Sequence, residues 1–180
     1  MKKLSSLLMI IAIVCFAFFA IASGSDDNPS KTSGNDGAES NNTSQQSKDE
    51  NFSLNETAVF KNIKVTANEI IINQGSEYMK PEEGKKFVAV KFTIENISDE
   101  DQSMSSLLLF EGYADDIKCD YSFSANVGLE GTLDGNVSPG KKLVGYYGVE
   151  VSKDAGVLEL EVKSSWLGSG KAVFTFDIPK

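Results

Sequence analysis

Three stretches of the chain alternate apolar and polar residues with a period of two. In Lys85 to Asn96, Val88, Val90, Phe92 and Ile94 take one parity, while Ala89, Lys91, Thr93 and Glu95 take the other. The closing stretch sets Ala172, Phe174, Phe176 and Ile178 against Lys171, Val173, Thr175 and Asp177. Between them, Leu158, Leu160 and Val162 alternate with Glu159, Glu161 and Lys163. An extended chain throws successive side chains to opposite faces, so each stretch reads as a strand with one buried and one solvated face. No sustained helical period follows Phe52, which excludes a helical core for that part of the chain.

Less regular β elements fill the gaps: Ala58 to Ala67, Ile70 to Asn73, Leu107 to Tyr113, Ile117 to Tyr121 and Leu143 to Val151. Turn residues separate them at Gln74-Gly75, Pro81 to Gly84, Asp115-Asp116, Pro139-Gly140 and Gly168 to Gly170. Leu107 to Phe110 is apolar on both faces, and the nearby Gly112 favours strand over helix there. Seven to eight short strands in one domain-sized stretch predict an all-β antiparallel sandwich over residues 51–180.

The chain ahead of that domain has a different character. Lys2-Lys3 followed by the apolar run Leu4 to Ala22 has the charged start and apolar core of an export signal, an apolar targeting helix over residues 1–22. Ala20-Ile21-Ala22 supplies small residues for cleavage after Ala22, and the run is also long enough to be retained as a membrane anchor. Cys15 is followed by seven further apolar residues and reads as part of the run rather than as a lipid attachment point. Residues 23–50 are Ser, Asn, Asp, Gly, Gln and Thr-rich, and predict a disordered linker because they hold too little apolar area to offset chain ordering.

Composition then removes several kinds of chemistry. The chain has 17 basic residues, all lysine, no histidine and a formal net charge of -9. A surface this acidic is repelled by phosphate backbones, so nucleic-acid binding is disfavoured. Without histidine or arginine there are no histidine-based triads, no histidine metal sites and no bidentate arginine clamps. If the targeting segment is removed, Cys119 is the only thiol left, which rules out an intramolecular disulfide.

Several segments together resemble the extracellular immunoglobulin-like domains of Gram-positive bacteria known as domain of unknown function 4352, or telokin-like. The resemblance is carried by Gly84-Lys85-Lys86-Phe87-Val88-Ala89-Val90 running into Thr93-Ile94-Glu95-Asn96. It continues in Ser138-Pro139-Gly140-Lys141 leading to Gly145, in Lys153-Asp154-Ala155 and in Val173-Phe174-Thr175-Phe176. It implies an immunoglobulin-like β-sandwich on an exported protein, often lipid-anchored, and brings no activity. Asp115-Asp116 stands where the family leads one to expect Asp-Gly.

Candidate sites are few. Asp115, Asp116 and Asp120 gather near one predicted hairpin and could offer oxygen ligands to calcium, although the EF-hand spacing is missing and solvated acidic loops are common. Glu159 and Glu161 point outward side by side, which makes no catalytic cleft. The Gly128 to Gly140 stretch lacks the order of a phosphate loop. On Leu143 to Val151 the outward parity is unusually apolar, so Val144 and Tyr146, with the single tryptophan Trp166, form a candidate partner-binding face. The competing reading has Tyr146 packed on a neighbouring strand and Trp166 folded over an open end of the sandwich.

The chain therefore reads as a non-enzymatic, cofactor-free module, secreted or held at the outer face of the membrane. Its expected partner is an extracellular protein or envelope component, with membrane contact only through an uncleaved N-terminal segment. A calcium-stabilised surface module and an extracellular enzyme built on lysine and carboxylates are the alternatives.

Overall fold

A computed structural model describes residues 29–33, 51–165 and 170–180. These form strands β1 (Ser30–Ser33), β2 (Asn51–Phe52), β3 (Glu56–Val59), β4 (Ile63–Asn73), β5 (Lys85–Asn96), β6 (Gln102–Met104), β7 (Phe110–Ala114), β8 (Ile117–Cys119), β9 (Gly135–Val137), β10 (Lys142–Ser152), β11 (Val157–Lys163) and β12 (Lys171–Asp177), with one helical turn, α1 (Ser106–Leu109). Two five-stranded sheets, ordered β1-β3-β4-β5-β10 and β2-β12-β11-β7-β8, make a β-sandwich, and β6-β9 adds a small ribbon. The strands expected from sequence are present, and four shorter ones, β1, β2, β6 and β9, add to them. Pairing is antiparallel except where β2 runs parallel to β12.

The core forms where the predicted inward parities meet. Phe92 of β5 lies edge-on to Phe110 and Phe174 of the opposite sheet, with ring centroids 5.2 and 5.4 Å apart. Phe174 in turn meets Phe52 at 5.2 Å. Val88, Val90, Ile94, Leu158, Leu160 and Val162 fill the space between them and are fully buried. Burying this apolar area drives the two sheets together.

Four details differ from the sequence reading. Leu107 to Leu109 belong to α1, and the strand starts only at Phe110. The Asp134 carboxylate accepts hydrogen bonds from the Ser106 N–H and hydroxyl, which fixes the start of that turn. The Ala58 to Ala67 element is split into β3 and β4, and a bulge at Asn68 carries β4 on to Asn73. Ala89, on the face expected to be wet, is fully buried. A 3-10 turn at Ser124–Asn126 packs over β5 and β10 there.

The fourth difference lies in the linker. Ser30–Ser33 pairs antiparallel with β3 in the register Ser30↔Val59, Lys31↔Ala58, Thr32↔Thr57 and Ser33↔Glu56. Apolar patterning does not reveal such a strand, because an edge strand can be held by its backbone and one side chain. The Lys31 ammonium does this here, 2.8 Å from Glu56 Oε2 and 5.8 Å from the centroid of the Phe52 ring. The expected targeting helix and the rest of the linker lie outside the described residues, as does Trp166.

Candidate functional site

The free edge of β10 is where the fold departs most from a plain ladder. After β8 the chain crosses from one sheet to the other, and Tyr121 forms a single antiparallel bridge with Val149. Beyond it, three alternate carbonyls of β10 are met by donors that belong to no strand. The Ser122 N–H donates to Gly148 O at 2.8 Å, Asn126 Nδ2 to Tyr146 O at 3.1 Å, and the Thr132 N–H to Val144 O at 3.0 Å. An exposed sheet edge is thereby covered by loop backbone and one side-chain amide, which removes it as a template for another strand.

Close approach of this segment depends on glycine. A Cβ on Gly145 would lie 2.6 to 2.7 Å from Thr132 backbone atoms, and one on Gly131, at φ +98°, would lie 2.1 Å from Val144 O. From the other side Asn73 Nδ2 donates to Ala125 O at 2.8 Å and Val127 O at 3.0 Å, tying the 3-10 turn to the end of β4.

An open cleft of about 580 Å³ runs along this covered edge, lined by Tyr121, Phe123, Asn126, Thr132, Asp134 and Tyr146, among others. Phe123 is 69% exposed. The Tyr121 hydroxyl accepts from Asn126 Nδ2 at 2.9 Å, and its ring tilts against Tyr147, which stacks on Phe110. Asn126 Oδ1 is buried with no hydrogen-bond partner. Among the described residues, no lysine lines the cleft.

Of the proposed partner-binding residues, Tyr146 reaches this cleft, but it is not a free ring. Its hydroxyl donates to Glu69 Oε1 at 3.0 Å, and the Lys91 ammonium sits 5.5 Å above its face. Burial, then the Glu69 carboxylate, raises the pKa of its phenol. Val144 is 42% exposed and lies outside the cleft lining. Gly148, on the same outward parity, is covered by Ala125 and Asn126. The sequence reading missed Phe123 and Asn126, although an aromatic residue inside a Ser, Asn and Gly-rich stretch was the available signal.

One of the acidic candidates serves the backbone. Asp115 accepts from the Gly156 and Val157 N–H groups at 2.9 to 3.2 Å, while Asp116 and Asp120 stay exposed. Among the described residues no group of three acidic or thiol side chains is placed to hold a metal ion. Glu161 pairs with Lys171 at 2.7 Å. A larger groove of about 960 Å³, at the ends of β4 and β12, is lined by Lys85, Lys86, Lys153 and Lys180, among others. Its first two lysines are engaged: Lys85 by Glu82 and Glu150, and Lys86 by the Ala155 carbonyl. The Cys119 thiol is buried and pushed up to about 11, first by burial and then by Asp120.

Solved structures share this architecture at low identity. The yjhA protein of Bacillus subtilis is 18% identical with a TM-score of 0.57, over 70% of this chain and 99% of that one. A candidate lipoprotein of the same species, the ycdA protein, is 18% identical with a TM-score of 0.54, over 64% of this chain. The present chain spans only 36% of its length. An uncharacterised β-sandwich protein of Clostridium difficile is 16% identical with a TM-score of 0.51, over 76% of this chain and all of that one. No curated protein matches. The profile of one family matches residues 52–173, from Phe52 of β2 into the start of β12, and on that match the chain belongs to the family described as domain of unknown function DUF4352.

Proposed function

We propose that this chain is an exported, non-catalytic immunoglobulin-like module of the cell envelope that binds a partner through the cleft beside Tyr146. The observation that carries this reading is the 69% exposed Phe123 ring at a concavity built on the covered β10 edge. Large aromatic side chains at the rim of a concavity are favoured anchors for a binding partner. The charged-residue chemistry supports binding over catalysis. The Glu82 carboxylate holds the Lys85 ammonium above its ordinary pKa, whereas an amine nucleophile or base needs a lowered one. The Cys119 thiol is driven the same unreactive way. The apolar segment ahead of the linker and the candidate-lipoprotein name of the ycdA protein support an extracytoplasmic location.

Cell fractionation tests the location: the protein is expected in the envelope or medium, and intact protein confined to the cytosol overturns export. The binding face is tested with Phe123→Ala in a pull-down from envelope extract. Lost partner retention at an unchanged melting temperature supports the cleft, while full retention removes it.

A further inference from the structure

The strand Ser30–Ser33 brings no apolar side chain to the sandwich, yet it covers β3 residue for residue. Its hold comes from backbone pairing and from Lys31. That ammonium bonds Glu56 Oε2 at 2.8 Å and the Asn51 carbonyl at 3.2 Å, and lies over the Phe52 ring. Glu56 is itself positioned, because its Oε2 accepts the Ser53 N–H at 2.8 Å. Asn51 and Phe52 form β2, in the other sheet, so Lys31 ties the two sheets together at their open side.

We propose that the β3 edge is a docking site for the chain's own Ser30–Ser33, and that this docking sets the working length of the N-terminal tether. The length control rests on reading residues 1–22 as a retained anchor. With β1 docked, seven residues, 23–29, separate the apolar segment from the sandwich. With β1 released, the separation is 28 residues, 23–50. At about 3.5 Å per extended residue these lengths reach roughly 25 Å and roughly 100 Å. Release withdraws no apolar side chain from the core, since the four residues are polar, and the ion pair it breaks is partly exposed, so the strand belongs to the least stable part of the fold.

The test uses the full chain in phosphatidylcholine vesicles carrying dansyl-labelled headgroups. The register pair Thr32→Cys with Thr57→Cys is used because it keeps both partners of the Lys31–Glu56 ion pair. Under mild oxidation it is expected to form an intrachain disulfide at least tenfold faster than the off-register pair Thr32→Cys with Val59→Cys. Equal rates in the two pairs overturn docking. Energy transfer from the single tryptophan, Trp166, to the labelled lipid is expected to be several-fold greater in the oxidised pair than in Lys31→Glu. Equal transfer overturns the length control. A chain that leaves the vesicles overturns the anchored reading and the length control with it, while the disulfide rates still judge docking.

Discussion

The Cβ of Ala125 lies 2.8 Å from the point a side chain at Gly148 would occupy, and the Asn126 Oδ1 lies only 2.4 Å from it. Gly148 is opposite Ala89 in the β5–β10 register, so two of the smallest residues meet under the turn that shapes the cleft. Gly148→Ala must push that turn away. A cost of about 1–3 kcal/mol is expected in chemical denaturation, the range of other overpacked sites. A neutral outcome would mean that the turn does not rest on the sheet.

Phe92 tests the core. It is fully buried against two aromatic rings of the facing sheet, and Phe92→Ala should cost about 3–5 kcal/mol. Thr93, on the opposite parity, donates one hydrogen bond to Asn68 Oδ1, and Thr93→Ala should cost about 1 kcal/mol. Comparable losses in urea melts of the two variants would contradict the register.

Asp115 and Asp116 form the two-residue turn between β7 and β8, both at positive φ, 46° and 65°. Glycine adopts that conformation without steric cost, so Asp116→Gly should stabilise the domain by up to about 1 kcal/mol. Asp115→Gly should do the reverse, because it removes the acceptor for the Gly156 and Val157 amides. Thermal melts of the two single variants check the opposite signs.

Cys119 should resist alkylation by iodoacetamide at pH 8 in the native protein and react once the chain is denatured. Burial keeps the thiol neutral up to about 11, against an ordinary 9.0. The folded state holds this proton more tightly than the unfolded state. Its contribution to stability is therefore complete below pH 9 and is lost as pH rises toward 11. Denaturation midpoints across pH 8 to 11 should fall, and should fall less in Cys119→Ala. Rapid native alkylation would place the thiol at the surface.

Strands that obey a single periodicity were legible from sequence alone, and Lys85 to Asn96 matches β5 end to end. There, hydrophobic alternation and backbone geometry carry the same information. Legibility failed wherever a different force fixed the chain. The 3-10 turn over Ala89 depends on Asn73 reaching more than fifty residues ahead to two carbonyls, which no local pattern encodes. The helical turn at Ser106 depends on Asp134 in the same way. Ser30–Ser33 is invisible to apolar patterning because Lys31 and the backbone hold it. Tyr146 and Val144 were chosen for an apolar outward parity, yet the segment Ser122 to Thr132 covers the edge of the same strand.

The pairing of β2 with β12 joins Asn51 to Val173 and Phe52 to Phe174, nearly the full length of the sandwich. Loop closure on that scale is slow, and none of its reward arrives until the last strand is available. A chain emerging from its N-terminus therefore cannot complete this sheet early. The sheet that carries Phe52, Phe110 and Phe174 is closed only when residues 171–177 have appeared, so the last strand to be synthesised is also the one that seals the core.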